Sequence, residues 1–597
     1  MSSGEPNSEN QPDRTPAAPT TSAEFTADEP QSPKTPEPPS DTGESDTGES
    51  DTPPTPWFWR LAILTFIVAQ VCFLYLAEDS LSLRVKSLLG FMTLLTMGVL
   101  FSKNLRLVRW RTIAMGLLLQ LSLVWFILEL RIYGLEWLGI PDGFGPGTEL
   151  FRALGEAVRV LLDQSSAGTK ILFGSLAEDR QMAVLGIVPP IIFFSSLFTI
   201  LYYFGILQFI VRMLGRVMMT LMGTSGAETL SAAANVFLGM TEAPLVIKPY
   251  ILRMTRSELF TMMVGGMATI SGGMMAVYVG LGADSVALLT TSVMAAPCGL
   301  LLSKLILPET KTPVTAGLVR MDDKDGEKHV NVVDAATTGA SAGLKLAANV
   351  VAMLIAFLAL LALVDYLLGQ LPTGQSLITT FQDQSGSPLV WKVCLVGLGF
   401  VPIYFLASFL SRRYIGRGLL EWRETETTGQ VAKNILKMVV LCVVYVVLLD
   451  RVLWLLPQQT TLGTIFGTLF SPLALLIGIP SNQQAEVANL LGLKLAANEF
   501  VAFQQLTTNY KTIIPAETRT FLITNFALTG FANFGSVGIQ IGGIGALVPE
   551  RRSDLAQLGI PAMLVGFLAT LMNAALAGCF LALEAGPPPI PGTDLSL

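Results

Sequence analysis

The stretch Ser231-Ala-Ala-Ala-Asn-Val-Phe-Leu-Gly-Met-Thr-Glu-Ala-Pro244 decides how the rest of the chain is read. It is dense in small residues, yet it carries Asn235, Thr241 and Glu242 inside a chain that is mostly lipid-soluble. A carboxylate at membrane depth costs about 2.5–3.5 kcal/mol on insertion scales. Gly239 and Pro244 interrupt a helix where these polar groups occur. A broken polar segment in a membrane protein is where a solute or ion site is sought.

The lipid-soluble reading rests on composition. Of 597 residues, 51% are hydrophobic and 14% charged, and the mean hydropathy is +0.57. Soluble domains carry about 25% charged residues. Apolar runs about twenty residues long recur from Trp57 onward, which predicts an all-α polytopic membrane protein. A β-barrel would need alternating strands of about ten residues instead. The cysteines (Cys72, Cys298, Cys394, Cys442, Cys579) all lie in apolar runs without ligand spacing, and the single histidine, His329, sits in a polar loop. A histidine-based metal centre or nucleophilic triad within the membrane is therefore not expected, and the chain does not read as an enzyme.

Residues 1–55 form an acidic, Pro/Ser/Thr-rich tail with twelve acidic and two basic residues, which accounts for the net charge of −7. Such a segment is expected to be disordered. The basic loop 103–111 is expected in the cytoplasm, which puts the tail there too. Membrane helices are predicted within 56–135. An amphipathic helix at 148–175, a span at 182–204 kinked by Pro189-Pro190, and an interfacial helix at 206–222 carrying Arg212 and Arg216 follow in 136–222. The opening stretch, a span broken at Thr269-Ile-Ser-Gly-Gly273 and a further span occupy 223–307. A polar loop and a long helix at 344–368 fill 308–370. Two spans at 390–410 and 434–456 make 371–460 read as an insertion. Residues 461–583 hold a second broken polar segment, a span broken at Phe531-Ala-Asn-Phe-Gly-Ser536 and a last span, before a short tail at 584–597.

The heptapeptide Gly-Leu-Lys-Leu-Ala-Ala-Asn occurs at 343–349 and again at 492–498. The coarser pattern carries more weight: a broken polar hairpin followed by a glycine-broken span, at 231–282 and again at 481–547. Paired devices of this kind are the mark of an inverted-repeat transporter with two re-entrant hairpins and two discontinuous helices. The polar residues gathered there include Asn235, Thr241, Glu242, Thr269, Ser271, Asn498, Glu499, Asn533 and Ser536. Glu499 with Asn533 suits a diol, because a carboxylate accepts from two hydroxyls. Exposed carbonyls at the breaks, with Asn235 and a hydroxyl, suit Na⁺. Lys248 and Lys494 read either as internal counter-charges or as interfacial snorkellers, with snorkelling preferred.

Three motifs resemble the concentrative nucleoside transporter family. They are Gly223-Thr-Ser-Gly-Ala-Glu-Thr-Leu through Thr241-Glu-Ala-Pro-Leu-Val-Ile-Lys-Pro-Tyr250, then Gly492-Leu-Lys-Leu-Ala-Ala-Asn-Glu-Phe-Val-Ala-Phe-Gln-Gln505, and Thr529-Gly-Phe-Ala-Asn-Phe-Gly-Ser through Gly543, running on to Pro549-Glu-Arg-Arg-Ser-Asp-Leu555. The resemblance implies a cation-coupled nucleoside symporter of the plasma (inner) membrane, a homotrimer whose protomers have a scaffold and a mobile transport domain that moves elevator-fashion. It implies that Gly239, Met240, Thr241 and Glu242 contact the base. Glu499, Phe531, Asn533 and Ser536 would contact base or ribose. Asn235, the Leu238 carbonyl, Thr269 and Ser271 would lie at a Na⁺ site. A proton carried by a buried glutamate is the alternative coupling ion; no other cofactor and no nucleic-acid partner is implied. Position 240 departs from the family, which reads Gly-Gln-Thr-Glu where this chain has Gly-Met-Thr-Glu. A thioether hydrogen-bonds a base edge poorly, so base preference is left open. The competing reading is a channel or facilitator without ion coupling, which would need a continuous polar stripe.

Overall fold

The computed structural model describes residues 55–77, 80–133, 143–174, 183–315, 329–369, 461–516 and 518–581. The acidic tail up to 54, the expected spans at 390–410 and 434–456, and the C-terminal tail lie outside the described residues. Every element within them is helical apart from one isolated bridge, Ile132 to Phe144. Among the described residues seven helices are long and apolar enough to cross a membrane.

The outer helices come first. Helix α1 (Trp57–Leu76) is apolar on all sides, and Phe58, Trp59, Phe66 and Leu76 are exposed. That suits a helix whose neighbour is lipid rather than protein. Helix α2 (Leu83–Leu100) starts at Ser82, whose hydroxyl accepts from Val85 N. Helix α3 (Trp110–Val124) continues through one π-turn, Trp125–Glu129, and is one of the membrane helices expected within 56–135. The amphipathic segment is helix α4 (Pro146–Phe173); it buries Phe151, Gly155, Ser165 and Thr169 while Leu154, Val160 and Ile171 stay exposed.

Helix α5 (Ala183–Tyr203) runs through both Pro189 and Pro190. Helix α6 (Ile206–Met222) lies between two left-handed glycines, Gly205 and Gly223. It buries the stripe Leu207, Val211, Gly215, Met218 and Met222, a helical repeat of three to four residues, and leaves Arg212 and Arg216 exposed.

The first broken unit follows. Helix α7 (Gly226–Ala234) leads into a turn at 235–242, a 3-10 segment (Ala243–Ile247) and the single-turn helix α8 (Lys248–Ile251). Helix α9 (Arg256–Ala268) and helix α10 (Gly272–Leu281) are one span interrupted at 269–271, as the Gly-rich break predicts. Helix α11 (Ser285–Ile306) is capped by Asp284, which accepts from Ala287 N at 2.7 Å. Its Lys304 is buried and ties the base of this unit together: Nζ lies 2.6 Å from Glu228 on α7, 3.2 Å from Glu309 and 2.9 Å from Ser257 Oγ on α9.

Helix α12 (Val332–Gly369) begins well before the span expected at 344 and packs along α5, where Ser196 Oγ donates to Ala336 O at 2.9 Å. The second unit comprises helix α13 (Leu462–Leu476), a 3-10 turn (Ser481–Gln483), helix α14 (Gln484–Ala496) and helix α15 (Glu499–Thr507). Helix α16 (Arg519–Leu528) and helix α17 (Phe534–Leu547) again form an interrupted pair, followed by helix α18 (Arg552–Phe580). The buried Arg519 fixes the start of α16 by donating to Gly478 O, Gly578 O and Ser87 Oγ at 2.7, 2.8 and 2.9 Å. The centre of the molecule is α9, α10, α11 and α18; every residue from Ser257 to Ala268 is buried.

The repeated heptapeptide takes two conformations. At 343–349 it is uninterrupted helix within α12, with Lys345 and Asn349 exposed. At 492–498 the helix ends at Ala496, and Asn498 caps the next one by accepting from Val501 N at 2.9 Å. Here Lys494 is fully buried, so the snorkelling reading is corrected: its ammonium donates to Ala527 O, Thr529 O and Thr570 Oγ1 at 2.8, 3.1 and 3.0 Å. Those acceptors sit at the end of α16 and on α18. Tertiary partners, not the seven residues, decide where this backbone breaks. Lys248 is exposed.

Candidate substrate and cation site

The interruptions meet one another. Phe531 N donates to Thr269 O at 3.2 Å, so the break between α16 and α17 is bonded directly to the break between α9 and α10. Gly272 N donates to Phe237 O at 2.9 Å, so the turn after α7 caps the start of α10. The remaining helix starts use side chains. Ser271 Oγ accepts from Met274 N at 3.3 Å, and Asn533 Oδ1 accepts from Ser536 N at 2.8 Å. Backbone groups that a broken helix would strand within the membrane are satisfied in this way.

Glu499 opens α15 and is 4% exposed. Its Oε1 accepts from the Tyr278 hydroxyl at 2.8 Å and its Oε2 from Asn533 Nδ2 at 2.9 Å. The Tyr278 ring is stacked on Phe503, with ring centroids 4.6 Å apart, so the donor is held by its own packing. This group draws on α10, α15 and α17. Asn533 and Ser536 are buried beside it, and Phe531 is held in the break by its own N–H.

The other group is the turn 239–242. Glu242 is exposed, and its Oε2 accepts from Gly239 N at 3.1 Å. Gly239 lies against the α9–α10 break: a Cβ there would sit 3.5 Å from Ser271 Cβ. Met240 is buried over Gly266, where a Cβ would come within 2.8 Å of Met240 Cβ. Thr241 packs on α17 at Gly543, where a Cβ would lie 2.7 Å from the threonine methyl. The two glycines allow the turn to be wedged between α9 and α17.

The residues read as cation ligands divide. Asn235 is fully buried, and neither atom of its carboxamide has a hydrogen-bond partner among the described residues. Ser231 Oγ, one turn earlier on α7, is in the same condition. Thr269 is engaged: its hydroxyl donates to Gly265 O at 2.9 Å and its carbonyl accepts from Phe531. Leu238 is half-buried and its N–H donates to Ala234 O. Buried polar atoms are nearly always paired, so the unmatched oxygens of Asn235 and Ser231 suit a hard cation as the missing partner.

Sequence reasoning missed Tyr278 and Ser231, and for Lys494 it preferred snorkelling to the internal place the residue occupies. Tyr278 lies in an apolar run and reads as packing. Ser231 could have been found from its i, i+4 spacing to Asn235.

Apolar helices surrounding two interrupted helix pairs, with Ser271, Glu499 and Asn533 gathered at the helix breaks, define a multi-pass membrane transporter. The chain belongs to the Na⁺-dependent, concentrative nucleoside transporter family, a family of transporters and not of enzymes. Family models described as the N-terminus and C-terminus of the Na⁺ dependent nucleoside transporter match residues 89–176 and 287–415 with 423–578, and one described as nucleoside recognition matches 184–285. An uncharacterised transporter of Haemophilus influenzae is 36% identical over 506 residues, covering 84% of this chain and 98% of the relative. Nucleoside permease NupC of Helicobacter pylori is 32% identical, covering 84% and 98%. Sodium/nucleoside cotransporter 1 of Mus musculus is 32% identical, covering 82% of this chain but 62% of that longer protein. Among solved structures, CNTnw in an inward-facing substrate-bound state matches with a TM-score of 0.62 at 31% identity, covering 83% of this chain and 98% of that one. A CNTnw variant in an outward-facing state matches with the same TM-score and identity.

Proposed function

We propose that the chain takes up nucleosides across the plasma (inner) membrane by symport with a cation, Na⁺ in preference to H⁺. The observation that carries this reading is Glu499, a buried carboxylate held between Tyr278 and Asn533 at the meeting point of broken helices from both halves. The Glu499–Asn533 pair presents acceptor and donor to a ribose diol, with Ser536 and Phe531 beside it. The turn Gly239–Glu242 receives the base. Asn235 and Ser231, with the Leu238 carbonyl and the break at Thr269–Ser271, take the cation.

Cation and nucleoside then favour one another. Filling the unmatched oxygens of α7 orders the turn that follows it, and that turn carries the base-contacting residues. Such coupling is reciprocal: the nucleoside tightens the cation as much as the cation tightens the nucleoside. The bond between the two breaks supports movement of both units as one block, with α7 to α10 and α14 to α17 forming the transport domain and its two re-entrant hairpins. Elevator-type alternating access follows from that block sliding against the outer helices, and a homotrimer supplies the fixed frame.

The test is uptake of labelled uridine, adenosine and guanosine into proteoliposomes under imposed Na⁺ or proton gradients. Accumulation above the outside concentration, abolished when the Na⁺ gradient is removed, is expected. Equilibration without accumulation would make the protein a facilitator and overturn the symport reading.

A further inference from the structure

Gln540 lies on α17, fully buried, and it is a part of the site that the family motifs leave without a role. Its neighbours on the same helix face are Asn533, Ser536 and Gly543, at spacings of seven, four and three residues. Ser536 and Asn533 belong to the ribose end of the site, while Gly543 carries the methyl of Thr241 from the base end. Gln540 is thus between the two ends. The glycine at 266 fixes its distance from the turn: the point where a Cβ would stand there is 2.5 Å from Gln540 Nε2 and 2.8 Å from Met240 Cβ.

The two ends of this carboxamide differ. Nε2 donates to Met263 O on α9 at 3.0 Å. Oε1 is buried and has no hydrogen-bond partner among the described residues. Met240 beside it has no donor to offer. A buried acceptor left unmatched beside a solute site selects for a solute that brings the donor.

We propose that Gln540 reads the base, its Oε1 accepting from an exocyclic amino group on the base edge, so that the chain favours nucleosides whose base carries one. Met263 O anchors the amide by its nitrogen and so aims its oxygen. This inference rests on the nucleoside reading above and deepens it from nucleosides in general to the amino-bearing class.

Adenosine and purine riboside differ only in the 6-amino group, so they isolate this contact. Their inhibition of labelled uridine uptake by the full chain in proteoliposomes is expected to differ by about tenfold or more in favour of adenosine. In Gln540→Met, which keeps the volume and removes the acceptor, the ratio is expected to fall to about twofold or less, through loss of adenosine affinity. Gln540→Asn, which withdraws the amide by one methylene, is expected to narrow the ratio too, and serves if Gln540→Met does not fold; melting in detergent reports on that. Equal inhibition by both nucleosides in the unmodified protein overturns the proposal, as does an unchanged ratio in either variant. Absence of uptake of every nucleoside by the unmodified protein would instead remove the nucleoside reading itself.

Discussion

The Tyr278 hydroxyl donates to Glu499 Oε1 at 2.8 Å, which joins the second half of one interrupted span to the first residue of α15. A hydrogen bond to a carboxylate is worth about 1.5–3 kcal/mol. Tyr278→Phe keeps the ring stacked on Phe503 and removes only the donor. It is expected to weaken apparent nucleoside affinity by about tenfold or more, with surface expression unchanged. Glu499→Gln is expected to abolish concentrative uptake altogether. Normal accumulation by Glu499→Gln, measured with labelled nucleoside in vesicles, would remove Glu499 from the site.

Asn235 gives a test that separates cation binding from folding. Its carboxamide is buried with both polar atoms unmatched among the described residues, so an apolar replacement strands nothing in the cation-free protein. Asn235→Leu is expected to melt at the same temperature as the unmodified protein or higher in choline chloride. Addition of NaCl is expected to stabilise the unmodified protein only, since a ligand that binds the folded state raises its stability. A Na⁺-induced rise of equal size in both would place the cation elsewhere.

Met240 packs over Gly266 beside the amide of Gln540. Met240→Gln introduces a donor and an acceptor at the base end of the site. The order in which uridine, adenosine and guanosine compete for uptake is expected to change. An identical order would show that base choice is made by other residues.

Two buried lysines hold the broken units in place. Lys304 joins Glu228, Glu309 and Ser257, and Lys494 joins Ala527, Thr529 and Thr570. Breaking a buried ion pair by removing one partner costs about 3–5 kcal/mol. Stranding a buried acceptor costs about 1–3 kcal/mol. Lys304→Met and Lys494→Met are each expected to lower the melting temperature in detergent. Unchanged melting in Lys494→Met would mean that its three acceptors find other donors.

Much of this architecture is legible in the chain. Ser271 and Asn533 mark the ends of both interruptions, because such residues cap a helix that starts anew after a break. The outer spans follow from apolar runs alone. What is not legible depends on partners distant in sequence. Tyr278 is an aromatic residue in an apolar run until Glu499 is seen opposite it. Lys494 and Lys345 occupy the same place in identical heptapeptides, yet one is enclosed and the other faces out. The early start of α12 reflects small residues packed on α5, a preference that hydropathy does not register: a Cβ at Gly343 would lie 2.8 Å from Ile192 Cα.

The Phe531 N–H to Thr269 O bond has a consequence for biogenesis. Neither interruption is finished by its own half of the chain. As the nascent protein leaves the ribosome, the first break enters the membrane with a raw carbonyl and waits for a segment made much later. Completion of the site is therefore expected to be a late, post-insertion event, and the interval before it is when the chain is most vulnerable to membrane quality control.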